Sequence, residues 1–340
     1  MKSVNYFSML RDGKSIYYRR WYVDEINILK SKYDVSVNTS IQKINHNSDL
    51  YISWWGQRSL PSVIIAKLHN KNSIVIAGGT CVSKMKTIYG YNSRNIFKRV
   101  IVRLTLMFCD HIIAVSDYNK KEILELMGSK YDDKTSVIYH CVSDEYFKKQ
   151  DEFKDNTKYF LIISALEKDN IKRKCIVECI EAINCLKEKY PDIKLIIAGH
   201  KDNGYDDLIN LIKSKGLESN VSLIGSINEE DNIRYLQNAY CYLQPTYHEQ
   251  FGLALAEAMA CGCPVISTNI TAVPEVVGDT GILIEANKVD NIAQAIEKIY
   301  NDEKLREVLS NKARERALSL FTYDMKKEKL LNLAAKFINY

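Results

Sequence analysis

Short apolar, β-branched runs recur along the chain with helix-length segments between them, at residues 4–10, 34–37, 50–55, 73–77, 112–116 and 136–139. Near-continuous apolar character marks strands buried on both faces, so these runs predict a parallel sheet covered by helices. The plan repeats at residues 159–166, 195–198, 221–224, 240–245, 265–267 and 281–285. Between the two sets, Phe147-Lys148-Lys149-Gln150-Asp151-Glu152-Phe153-Lys154-Asp155-Asn156 is polar and aperiodic, which places a boundary near residue 150. The pattern therefore predicts two Rossmann-like βα domains, 1–150 and 151–321. In the tail, 322–340, Met325, Leu330, Leu331, Leu333, Ala334 and Phe337 predict a terminal amphipathic helix that packs back on the first domain.

Composition is that of an ordinary globular protein, with 46% hydrophobic and 26% charged residues in 340, a length natural for two domains. No run approaches the ~20 apolar residues of a membrane helix. The start, Met1-Lys2-Ser3-Val4-Asn5-Tyr6, lacks the apolar core of a secretory signal, so a cytoplasmic protein is expected. Nine scattered cysteines form no paired Cys-x-x-Cys sets and read as reduced, mostly buried thiols. Charge is uneven: residues 1–150 hold 23 basic and 13 acidic side chains, net +10, and the remainder 24 and 29, net −5. A basic first half fits an anionic partner: a phospholipid surface, a polyprenyl-phosphate carrier or nucleic acid.

The chemistry concentrates in His248-Glu249-Gln250-Phe251-Gly252-Leu253-Ala254-Leu255-Ala256-Glu257-Ala258-Met259. An apolar run leads to Pro245-Thr246, and Gly262-Cys263-Pro264 closes a helix before the next apolar run, an order of strand, loop, helix, strand. That order puts Glu249 at the carboxyl end of a parallel strand, where open α/β sheets bind ligands, and offers an anion the N–H groups of a helix start. Glu257 is expected about two turns into the helix. Carboxylates suit hydroxyls and helix starts suit phosphates, so the pair of features describes a nucleotide-sugar donor site.

These landmarks resemble the GT-B glycosyltransferases, specifically the retaining group known as family 4 or glycosyl transferases group 1. The resemblance covers roughly residues 110–325. It is carried by the E-x7-E signature of Glu249 and Glu257 together with Phe251-Gly252, Gly262, Pro264 and Pro274-Glu275-Val276-Val277, and supported by Ala114-Val115-Ser116, Val137-Ile138-Tyr139 and Ile196-Ile197-Ala198-Gly199. It implies two domains facing each other across a cleft, with the donor in the second and the acceptor in the first. It implies that Glu249 lies beside the transferred sugar and that Gln250, Phe251, Gly252 and Leu253 line the diphosphate and sugar. Glu257 would take the ribose hydroxyls. Family members carry an arginine in a Gly-Arg-Leu turn, where this chain has Ala165, and a lysine soon after, which Lys174 matches. Lys174 is thus the expected catalytic cation, and Arg173 or Lys172 the source of a second charge, Arg173 being placed with the donor-binding residues. Because a fixed cation replaces a metal against the leaving diphosphate, no metal and no cofactor beyond the donor itself is expected.

The first domain departs further from the family. Its first turn, Met9-Leu10-Arg11-Asp12-Gly13, keeps only Gly13, and Gly78-Gly79-Thr80-Cys81 stands where an acidic residue or histidine is common. Gly13, Gly78 and Gly79 remain the acceptor or cleft candidates, since a glycine pair after a buried strand permits close backbone approach. Trp54-Trp55 reads either as a sugar platform or as core. Arg94, Lys98, Arg99 and Arg103 among Phe97, Val100, Ile101, Val102 and Leu104 suggest a basic amphipathic helix for peripheral contact with the cytoplasmic membrane face. The resulting expectation is a metal-independent, retaining hexosyltransferase acting on a glycan or lipid-linked acceptor and not on nucleic acid. Two alternatives stay open: a GT-B sugar-nucleotide epimerase, and an inactive donor-binding partner subunit.

Overall fold

Among the described residues, twelve strands form in the twelve segments where the apolar runs occur: β1 (Ser3–Phe7), β2 (Asp34–Asn38), β3 (Leu50–Trp54), β4 (Asn72–Ile76), β5 (His111–Ala114), β6 (Thr135–Val137), β7 (Tyr159–Ile163), β8 (Lys194–Ala198), β9 (Val221–Gly225), β10 (Cys241–Gln244), β11 (Val265–Thr268) and β12 (Ile282–Ile284). The structure, a computed structural model, describes residues 1–10, 13–17, 19–84, 90–148, 158–286 and 288–338. Arg11 and Asp12 of the first turn, and most of the polar stretch read as a domain boundary, lie outside those residues.

The chain divides into two units, Met1–Cys141 with Tyr323–Tyr340, and Val142–Thr322. The sequence placed these divisions at 150 and 321. Each unit is one six-stranded parallel sheet, a GT-B architecture, ordered β2-β1-β3-β4-β5-β6 in the first and β12-β11-β10-β7-β8-β9 in the second. Both orders reverse once. In the first unit the chain leaves β1 for β2 and returns to the other side of β1 as β3; in the second it runs from β7 to β9 and returns as β10 beside β7. Adjacent strands whose connections leave in opposite directions open a crevice at their carboxyl ends, the usual place for a ligand in such sheets.

Burial follows the expected two-sided pattern. In the second unit, Phe160, Ile162, Leu195, Ile197, Leu243 and Ile266 of the strands pack against Ile176, Ile180 and Ile183 of helix Ile176–Leu186 and Ile292, Ile296 and Ile299 of helix Val289–Asn301. In the first unit the terminal helix, Tyr323–Ile338, packs on helix Arg20–Lys30. Lys326 reaches Glu25 at 2.8 Å with both side chains buried, and Tyr6 and Trp54 donate to the other Glu25 oxygen at 2.7 and 2.6 Å. Among the described residues no helix is long and apolar enough to cross a membrane.

Candidate functional site

Pro245 cannot donate to a sheet ladder, so β10 stops at Gln244 and the chain turns through Thr246, Tyr247 and His248 to Glu249. Gly252 then sits in left-handed backbone, φ +96°, and starts helix Leu253–Ala260. A side chain at Gly252 would be strained there and would meet Leu255, which accounts for the glycine. The helix presents Leu253, Ala254 and Glu257 as its partly exposed positions, while Leu255, Ala256, Ala258, Met259 and Ala260 are buried. Glu257 is the fifth helical residue, little more than one turn in. The expectation of two turns fails because the glycine cap delays the helix start to residue 253.

The cations arrive from β7. After it, helix Lys168–Arg173 is followed by Lys174 and by Cys175, whose left-handed backbone, φ +52°, turns the chain into the next helix. The Arg173 and Lys174 side chains are thereby delivered to the ends of β7 and β10. Arg173 Nη1 donates to Glu249 Oε1 at 2.6 Å and to the His248 carbonyl at 3.0 Å, and its Nη2 to Asn170 at 3.2 Å. Lys174 Nζ donates to the Ile163 carbonyl at 3.1 Å and to Gln244 Oε1 at 3.2 Å, spanning the ends of β7 and β10. That is the reversal point of the second sheet. Lys172 is exposed, so of the two candidates for the second charge it is Arg173 that the fold brings to Glu249.

Glu249 is held from several sides. Its N–H donates to Thr271 Oγ1 at 3.1 Å, and Gln244 Nε2 joins Arg173 on Oε1 at 3.1 Å. Both side-chain donors address Oε1, which leaves Oε2 for a ligand. Burial by itself would raise this carboxyl, but Arg173 and Lys174 outweigh burial and hold it below the ordinary carboxylate value. Burial pulls the Lys174 ammonium down to about 8, with Glu249 raising it and Arg173 lowering it. A cation held by two neutral oxygens in a partly buried place is poised to gain from an incoming anion. Gln250 Nε2 lies 3.1 Å from His248 Nε2, and Phe251 is buried edge-on against Phe321 at 5.3 Å. Phe251 therefore shapes the loop from beneath, while Leu253 stays partly exposed.

The first-unit candidates fall at strand ends but with a different content. Gly13 has left-handed backbone beside Thr39. Around Gly78 a side chain would meet Val115 and Trp54, and at Gly79 it would fall 1.9 Å from the Trp55 ring. What this glycine pair admits is thus the two indoles of its own unit, not open space for a ligand. Trp54 is core, and Trp55 donates through Nε1 to Tyr22 at 2.7 Å, so the platform reading of the tryptophans gives way to packing. Arg58 Nη1 donates to the Met9 carbonyl at 3.0 Å, joining the ends of β1 and β3 at that sheet's reversal point. His111 contacts Ser136 at 2.8 Å, and burial depresses its imidazole to about 4, a structural role.

The basic segment forms helix Ile96–Phe108, capped by Asn95, whose side chain accepts from the Lys98 N–H. Arg94 precedes the helix and bonds the Gln57 side chain, and Arg103 donates to Tyr91 at 3.0 Å. Only Val102, Thr105 and Leu106 are buried; Ile96, Phe97, Val100, Met107 and Phe108 are exposed, Phe97 by 77%.

Sequence reasoning missed Gln244, Tyr242 and Thr271. A glutamine closing an otherwise apolar strand was the available signal for the first, and a threonine with φ +54° could be recognised only in the structure.

Comparison with known proteins agrees with this fold. O-antigen chain mannosyltransferase B of Escherichia coli is 30% identical over a stretch covering 58% of this chain and 53% of that protein. Capsular polysaccharide biosynthesis glycosyltransferase CapM of Staphylococcus aureus is 28% identical over 75% of this chain and 68% of its own length. The chain thus spans little more than half of the first of these relatives. Among solved structures, sucrose-phosphate synthase from Thermosynechococcus elongatus superposes with a TM-score of 0.80 over 99% of both chains at 17% identity, a likeness of fold. Residues 143–316, just over half the sequence and nearly all of the second unit, match the glycosyl transferases group 1 family, and the chain belongs to that family.

Proposed function

We propose that the protein is a retaining, metal-independent glycosyltransferase that moves a hexose from a nucleoside-diphosphate sugar to an acceptor hydroxyl on a lipid-linked or surface glycan. The observation that carries this reading is the meeting of Arg173, Lys174 and Glu249 at the β7/β10 reversal point. Breaking the bond between the anomeric carbon and phosphate leaves an anionic diphosphate. Lys174, whose ammonium has a third N–H beyond its two neutral acceptors, and Arg173 supply positive charge where that anion grows. The helix start at Leu253 offers N–H groups to the same phosphates. Glu249 Oε2 accepts from sugar hydroxyls, and Glu257 from the ribose.

In the retaining course the acceptor oxygen bonds the anomeric carbon on the face the phosphate leaves, and its proton passes to the departing phosphate oxygen. Two fixed cations make a divalent ion unnecessary. Helix Ile96–Phe108 supports a lipid-linked acceptor, because Lys98 and Arg99 accompany exposed Phe97, Ile96 and Val100, the pairing of charge and apolar surface that an anionic bilayer attracts.

The test is transfer. Nucleoside-diphosphate hexoses are incubated with polyprenyl-linked and soluble glycan acceptors, with and without EDTA, using wild type and Glu249→Ala. EDTA-insensitive transfer that Glu249→Ala abolishes is expected. Activity of Glu249→Ala within a few-fold of wild type, or restoration by Mg²⁺ after EDTA, contradicts the reading, and conversion of the free sugar nucleotide without acceptor identifies an epimerase instead.

A further inference from the structure

The lysine and glutamate of the donor site do not touch; a buried amide stands between them. Gln244 is 1% exposed at the end of a central strand. Its Oε1 accepts from Lys174 Nζ at 3.2 Å and from the Tyr242 hydroxyl at 2.9 Å, and its Nε2 donates to Glu249 Oε1 at 3.1 Å. The orientation is fixed by chemistry: reversal would set an NH2 against an ammonium and an oxygen against a carboxylate. Tyr242, fully buried two residues earlier on the same face of β10, also reaches the Ile163 carbonyl at 3.4 Å, the group that accepts from Lys174.

Burying a glutamine amide and a tyrosine hydroxyl at a strand end is unfavourable unless each is bonded, and the Gln244 side chain spends its bonds on Lys174, Tyr242 and Glu249. With the amide removed, the ammonium and the carboxylate would be free to approach as a direct ion pair and neutralise one another.

We propose that Gln244, anchored by Tyr242, is the positioning residue that keeps Lys174 and Glu249 apart and holds each one's remaining bonding capacity toward the ligand. This rests on the donor-site reading: the Lys174 N–H goes to the diphosphate, and Glu249 Oε2 goes to the sugar. Gln244 touches neither ligand group and acts only through these two.

Two variants should move Lys174 in opposite directions, a result that mere loosening of the fold does not give. Gln244→Leu keeps the volume and removes an acceptor from the ammonium, so Lys174 should titrate below its wild-type value of about 8. Gln244→Glu puts a carboxylate there, so Lys174 should titrate higher, each shift being about one unit. Competitive acetylation of the free protein across the alkaline range, read by mass spectrometry on the Lys174 peptide, reports this without any substrate. In transfer assays Gln244→Leu should lower kcat by at least tenfold while changing donor KM little. Lys174 titrating alike in wild type and both Gln244 variants overturns the proposal, as does a loss confined to KM. Failure of wild type to bind UDP, GDP or ADP would instead remove the donor-site reading, while the lysine titration still decides on the bridge.

Discussion

Arg173→Ala isolates the ion pair between Arg173 and Glu249. Arg173 is 28% and Glu249 16% exposed, and the pair closes at 2.6 Å, so it belongs neither to the solvent-screened surface nor to the deep interior. With charge centres about 4 Å apart and an effective dielectric of about 20, attraction is about 4 kcal/mol. Desolvation of both groups offsets part of it, and Gln244 and Lys174 remain near the orphaned carboxylate. A net loss of about 2 kcal/mol is the resulting figure, between the exposed and buried limits. For a unit of this size that lowers Tm by about 4–8 °C. The pH dependence gives a second check. The folded Glu249 value lies below its usual 4.5, so its contribution is present above pH 4.5 and is lost as pH falls through the folded value. The gap between wild type and Arg173→Ala should therefore be full at neutral pH and close in acid. Thermal unfolding in a cycle with Glu249→Gln is the assay. Equal Tm at neutral pH, a gap that persists in acid, or strict additivity with Glu249→Gln refutes the reasoning.

Other outcomes follow from the same structure. Glu257→Ala should weaken nucleoside-diphosphate affinity by about 1–3 kcal/mol in calorimetric titration, the value of a charged hydrogen bond to ribose, and unchanged affinity would remove Glu257 from the donor site. Lys326→Ala should destabilise the first unit by about 3–5 kcal/mol in thermal denaturation, because it strands Glu25 among Tyr6 and Trp54, and a loss under about 1 kcal/mol would contradict the burial argument. Phe97→Ser combined with Lys98→Glu should release the protein from anionic phospholipid vesicles at low salt while leaving nucleotide affinity unchanged; wild type that never sediments with such vesicles removes the membrane contact.

The sheets were legible because parallel strands buried on both faces leave short apolar, β-branched runs at regular intervals along the chain. All twelve runs became strands, though several were read too long. Residues 8–10 after β1, 164–166 after β7 and Pro245 after β10 are apolar or flank apolar residues, yet they belong to the loops that carry the sites. Glu249 and Glu257 could be singled out through their spacing around one strand-to-helix turn, and Lys174 only through the resemblance to the family's lysine position. The Arg173 contact was less accessible: it joins residues 76 positions apart and depends on the left-handed turn at Cys175, which a cysteine does not announce. The glycine pair misled for a related reason. Gly78-Gly79 signals close approach, but sequence does not say to what, and Trp54 and Trp55 fill the space. Gln244 and Tyr242 were passed over because a strand-end polar residue acquires meaning only when the neighbouring strand brings Lys174 to it.

On this reading a nucleoside diphosphate binds at the β7/β10 reversal point. A crystal structure of the protein soaked with the nucleoside diphosphate that most raises its Tm tests this directly. Phosphate oxygens are expected within hydrogen-bonding distance of Lys174 Nζ and Arg173, with the ribose hydroxyls on Glu257. A diphosphate bound elsewhere, with Lys174 still satisfied only by Ile163 and Gln244, would contradict it.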